Sequence, residues 1–131
     1  MNRKLLLVDD DENIRFVAEL SLEQDWQISS ASSGRRALEI AVAENPDVIL
    51  LDMMMPGMTG AEVFAQLRQI DSTKKIPVIF MTAKVQKEEV AQYLALGVNG
   101  VILKPFDPMS LSDEIGQMIG TSASPVVAAN Y

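Results

Sequence analysis

The chain has 131 residues, 48% hydrophobic and 22% charged, with a net charge of −7 and a pI near 4.5. That composition suits one globular domain of ordinary size and excludes a disordered chain, and its acidity argues against direct nucleic-acid binding, which selects basic patches. There is no cysteine and no histidine, so disulfides, thiolate chemistry, cysteine zinc sites, a histidine general base and a phosphohistidine role are excluded.

The first apolar run, residues 5–8, is too short for a signal peptide or a bilayer span, so no membrane insertion is expected and a cytoplasmic location is. It is continuous, as a strand covered on both faces of a parallel sheet is. Ile14, Val17, Ala18, Ser21 and Leu22 then share one face at helical spacing, with Asp11 and Glu12 at the positive end of the dipole. Residues 26–31 alternate, which suits a strand nearer an edge. Ser33 can cap a second helix that turns Ala37, Leu38, Ala41 and Val42 inward. The run at 48–51 predicts the third strand. Thr59-x-x-Glu62 fits a capping box opening a helix with Val63, Phe64, Leu67 and Ile70. Runs at 78–81 and 101–103 predict two more strands. Between them Val90, Ala91, Leu94 and Ala95 mark a helix that Gly97 stops. Asp107-Pro108, a cap followed by proline at the first helical position, opens a last helix carrying Leu111, Ile115 and Met118 and stopping at Gly120. Five strand–helix units imply an α/β fold, a parallel sheet with helices on both faces, over residues 1–120. Residues 121–131, rich in Ser, Ala and Val, read as a C-terminal tail or linker start.

Ligands bind such sheets outside the carboxyl ends of the strands. Strand one ends in Asp9-Asp10, strand three in Asp52, strand four in Thr82 and strand five in Lys104. Each alone suits a turn, a cap or a solvated charge. Their joint occurrence at one sheet edge points to chemistry. Converging carboxylates repel unless a hard divalent cation relieves them, and magnesium also recruits phosphate oxygens. A lysine and a hydroxyl beside them complete a phosphoryl-transfer set, with one carboxylate as nucleophile.

At this point the chain resembles the receiver domain of two-component response regulators. The resemblance spans about residues 3–120 and is carried by Leu-Leu-Val-Asp-Asp-Asp at 6–11, Leu-Asp-Met-Met-Met-Pro-Gly-Met-Thr-Gly at 51–60, Met-Thr-Ala at 81–83 and Lys-Pro-Phe at 104–106. It implies a doubly wound, flavodoxin-like five-stranded sheet of order 2-1-3-4-5. It implies that Asp52 accepts phosphate from a histidine kinase or a histidine phosphotransfer protein. Asp10 would ligate Mg2+ directly and Asp9 through water, with Asp52 and the Met54 backbone carbonyl completing the set; Mn2+ could substitute. Thr82 would bond a phosphoryl oxygen, and Lys104 would bridge the phosphoryl group and the acidic pair. Lys104-Pro105 would be cis. Pro56, Gly57 and Gly60 would shape the following loop, and small Ala83 would leave room for the donor. The resemblance further implies a protein that catalyses only its own phosphorylation and dephosphorylation. Its switched face, made of helix four, strand five and helix five, would meet a downstream protein or a second copy. Leu94, Leu96, Val98 and Met109 are the apolar candidates there. No DNA-binding output domain is expected after residue 120.

Two departures stand out. Val101 sits where the family often has a switching aromatic ring, and Met54 and Lys84 flank the route of water to the phosphoryl group. Two other classes share parts of the pattern. A haloacid-dehalogenase-type phosphatase would want a second Asp at position 54, where this chain has Met. A flavin or nucleotide module would want a phosphate-cradling loop after strand one, where Asp9, Asp10 and Asp11 repel phosphate.

Overall fold

Each apolar run is too short to bury itself, and the runs are joined into one sheet. The computed structural model describes residues 3–83 and 86–120, and the backbone of 126–128. Lys84 therefore lies outside the described residues. The strands are β1 (Arg3–Val8), β2 (Trp26–Ala31), β3 (Val48–Asp52), β4 (Val78–Ala83), β5 (Gly100–Lys104) and a short β6 (Val126–Ala128). The helices are α1 (Glu12–Leu22), α2 (Gly34–Glu44), α3 (Gly60–Leu67), α4 (Lys87–Ala95) and α5 (Leu111–Gly120). Five parallel strands run in the expected order 2-1-3-4-5, and β6 adds a sixth beyond β5. No helix among the described residues is long and apolar enough to cross a membrane.

Strand alternation divides each continuous run between two faces. Leu6, Val8, Ile49, Leu51, Val78, Phe80, Val101 and Leu103 pack with residues of α2 and α3, while Tyr93 and Leu94 of α4 rest against the same cluster. Leu5, Leu7, Leu50, Ile79, Met81 and Ile102 pack on the opposite face with Ala18 and Leu22 of α1 and with Leu111, Ile115 and Met118 of α5. This two-sided cover is why the strands lack polar alternation.

Several helix details differ from the sequence expectation. Val17 is 39% exposed and Val42 49%, although both were expected inward. The buried positions are Ala18 and Leu22 in α1, and Gly34, Ala37, Ile40 and Ala41 in α2. The inward arc is narrower than the apolar stripe, and in α2 part of it faces Met58 and Val63 beside Gly34. α3 ends at Leu67, so Ile70 falls beyond it. Gly97 does stop α4, with a φ of 103° that favours glycine. Asp107 caps a turn instead of the helix: its side chain accepts from the Met109 N–H at 2.9 Å, and α5 begins only at Leu111. No element was expected within residues 121–131, yet 126–128 form β6. The other expected caps are present. Ser33 accepts from the Arg36 N–H, and both halves of the Thr59–Glu62 capping box are made.

Candidate functional site

Strand register assembles the site. Val8 pairs with Leu51, so Asp9 and Asp52 leave the sheet side by side where β1 and β3 adjoin. That is where strand order reverses, because the chain goes to β2 on one side of β1 and to β3 on the other. Asp52 pairs with Met81, which puts Thr82 one step past it, and Ala83 pairs with Lys104. Asp9, Asp52 and Thr82 are 0%, 3% and 1% exposed, whereas Asp10 is exposed and Lys104 half-buried.

Lys104 Nζ donates to Asp9 Oδ2 at 2.8 Å and to Asp52 Oδ1 at 3.1 Å. The other Asp9 oxygen, Oδ1, accepts from the Asp11 N–H at 2.9 Å. The Met54 N–H approaches Asp52 Oδ1 at 3.4 Å. One carboxylate oxygen from each of Asp9, Asp10 and Asp52 lies within 4.8 Å of the others. One ammonium thus sits among three carboxylates, two of them buried and Asp10 open to solvent, and negative charge is in excess.

The electrostatics follow. Burial and then the Asp9 charge push the Asp52 carboxyl up to about 6, against the opposing pull of Lys104 and the Met54 N–H. For Lys104, burial pulls downward. The hydrogen bond to Asp9, the charges of Asp52 and Asp9, and the hydrogen bond to Asp52 together outweigh it, so the ammonium is held above its usual range. This donor set is all oxygen, anionic and under-neutralised, so it fits a hard divalent cation.

The residues expected at the site come together with two qualifications. Met54 meets Asp52 through its N–H, and its side chain stands 69% exposed at the rim. Val101 is buried in β5, paired with Phe80. The Lys104-Pro105 bond is cis. Gly60 is placed by close approach: a Cβ there would lie 2.7 Å from the Asp52 carbonyl oxygen and 2.9 Å from Met53 Cα. Of the apolar candidates near α4 and α5, Val98 is core and Leu94 half-buried, while Leu96 and Met109 are exposed.

Two contributors escape a reading of the sequence. Arg15 donates from its guanidinium to the Asp9 carbonyl at 2.7 Å, tying α1 to the acidic loop. Its position in the first turns of a helix was the available signal, since a long donor there reaches back to the preceding loop. The second is an aromatic string. Phe64 and Tyr93 both meet Phe80 edge-on at 5.7 Å, linking α3 and α4 to the strand that carries Thr82.

Residues 5–116 match the family model of the response regulator receiver domain. The sporulation initiation phosphotransferase F of Bacillus subtilis is 37% identical over 116 residues, which cover 88% of this chain and 92% of that protein. The alkaline phosphatase synthesis transcriptional regulatory protein PhoP of B. subtilis is 36% identical over 123 residues, 93% of this chain but 50% of PhoP. The chain spans about half the length of PhoP and of the Staphylococcus aureus regulator SrrA. Among solved structures, chemotaxis response regulator CheY4 of Vibrio cholerae matches with a TM-score of 0.84 at 31% identity, covering 90% of this chain and 99% of that one. The BeF3-activated receiver domain of DrrB, a Thermotoga maritima protein, matches at 0.80 with 26% identity, covering 92% of this chain and 100% of that one.

Proposed function

The chain belongs to the response regulator receiver domain family of two-component signalling, and from that premise we propose that Asp52 accepts a phosphoryl group from a phosphohistidine. The donor is a histidine kinase or a histidine phosphotransfer protein, and the cofactor is Mg2+, which Mn2+ can replace. The observation that carries this reading is Lys104 Nζ shared between two buried aspartates, 2.8 Å from Asp9 and 3.1 Å from Asp52.

Asp9, Asp10 and Asp52 would hold the ion, which when bound supplies positive charge against the phosphoryl oxygens. A carboxylate oxygen of Asp52 attacks phosphorus in line. The new O–P bond forms as the N–P bond to the donor imidazole breaks, and the imidazole leaves with the electron pair and takes up a proton. Lys104 already touches Asp52 and swings to a phosphoryl oxygen. The Thr82 hydroxyl, at the end of the neighbouring strand, donates to another. Asp9 keeps Lys104 oriented, and Arg15 keeps the Asp9 backbone in place. The added charge and acceptor oxygens then bias the face of α4, β5 and α5 toward a downstream protein or a second copy. The protein on this reading is cytoplasmic and catalyses only its own phosphorylation and dephosphorylation. A phosphatase of the haloacid dehalogenase type is disfavoured, because the Met54 thioether has no proton to give a leaving group.

The test is intact mass after incubation with acetyl phosphate, with and without Mg2+, for the wild type and Asp52→Asn. One phosphoryl group should appear on the wild type with Mg2+ and none on the variant. A phosphorylated variant, or a wild type inert to every donor, overturns the reading.

A further inference from the structure

The sheet continues past β5. β6 joins it in parallel, with Gly100 opposite Val126, Val101 opposite Val127 and Ile102 opposite Ala128. The first three residues of β5 are therefore paired on both sides, to β4 through Ile79, Phe80 and Met81 and to β6. The last two, Leu103 and Lys104, pair with β4 only among the described residues. The described part of β6 reaches Ile102, two residues before the lysine that bridges Asp9 and Asp52.

Without β6, β5 would present an open edge of backbone N–H and C=O groups, flanked by α4 on one face and α5 on the other. Such an edge accepts an extended segment as an added strand. Charged side chains are a common guard against that kind of pairing. No Asp, Glu, Lys or Arg follows Glu114 in the sequence, so the segment that fills the edge carries no such guard and is suited to pair. It is also only three residues long, and short peripheral elements open at far lower cost than the whole domain. Docked and undocked states of this kind are tipped by modest changes in the strand they share.

We propose that the β5 edge is a strand-acceptor site, filled in cis by residues 126–128 of the same chain, and that filling this edge opposes phosphoryl loading of Asp52. The coupling element is β5 itself. Loading offers Lys104 a new anionic partner, and its displacement pulls the end of β5 just beyond the last residue paired to β6. A parallel ladder holds only in register, so the strand is released and the edge between α4 and α5 is freed. Opposition is reciprocal: whatever undocks the strand strengthens loading by the same factor. This rests on the reading of Asp52 as phosphoacceptor.

The experiment is amide hydrogen exchange on the full chain, with and without beryllofluoride plus Mg2+, beside Val127→Pro, which removes a backbone donor, and a chain ended after Gly120. Protection of the segment containing Gly100–Ile102 should fall about tenfold when beryllofluoride binds the wild type. Both variants should lack that protection from the start and should bind beryllofluoride severalfold more tightly. A wild type that binds beryllofluoride with unchanged exchange in this segment overturns the inference alone. So does a Val127→Pro protein as protected as the wild type. Protection that grows with protein concentration assigns the strand to a second copy and overturns the cis pairing. A wild type that binds no beryllofluoride overturns the phosphoacceptor reading and this inference with it.

Discussion

Asp52 is held in a state that costs stability. Its pKa lies at about 6 against an ordinary value of 3.8, so the folded protein binds the proton more tightly than the unfolded chain does. Between these values stability falls as pH rises, and above about 6 the loss is complete. Asp52→Asn removes this penalty. In EDTA at pH 7.5 the variant should be more stable than the wild type by about 2 kcal/mol, and the gap should close near pH 4. Paired thermal melts across that range measure it, and Mg2+ should raise the wild-type midpoint far more than that of the variant. Met54 makes a second case at this scale. Its side chain stands exposed next to Asp52, and on the proposed function a flexible thioether there would screen the phosphoryl group from water. Met54→Asn should shorten the lifetime of the phosphorylated state severalfold by phosphate release, and an unchanged lifetime would remove Met54 from the account. Asp9, Asp10, Asp52, Thr82 and Lys104 were legible because each interrupts an apolar run at one sheet edge. Arg15 was harder to read, since its partner is a backbone carbonyl and only its place in the first turns of α1 marks it.

Among the elements, α4 is the least anchored. It has no fully buried residue, and its N-cap, Gln86, makes no side-chain bond to the first turn. α1, α2 and α3 each have such a cap bond. A helix with few buried contacts opens locally before the rest of the domain, so α4 should show the fastest amide exchange of the five helices. Gln86→Asp supplies the missing acceptor and a favourable charge at the helix start. It should stabilise α4 by about 1 kcal/mol, seen as slower exchange in Lys87–Ala95 with the other helices unchanged. Elements were legible where local chemistry decides them, as at Thr59–Glu62 and Gly97. They were illegible where tertiary packing decides. The faces of α1 and α2 are set by how closely each helix lies on the sheet, which is why Val17 and Val42 remain exposed. β6 exists only by pairing with a strand far earlier in the sequence, and three residues of Val-Val-Ala carry no periodicity of their own.

At the scale of the whole molecule, β4 is the strand that ties α3 and α4, on one face of the sheet, to the site. Phe80 is fully buried, meets Phe64 of α3 and Tyr93 of α4, pairs with Leu51 and Val101, and lies two residues before Thr82. Tyr93 ties the least anchored helix to the strand that ends at the site. Removing the Phe80 ring leaves a cavity touching β3, β5, α3 and α4 together. Phe80→Ala should cost about 3–5 kcal/mol, a large share of the 5–15 kcal/mol typical of a domain. Tyr93→Ala should cost less, because Tyr93 is half-buried. Urea denaturation separates two outcomes. If the sheet and both helix layers unfold as one unit, the midpoint falls in Phe80→Ala while the slope is unchanged. A reduced slope would mean that α4 has already parted from the sheet, and Phe80 would then be a local prop for that helix and not a shared support of α3, α4 and the sheet.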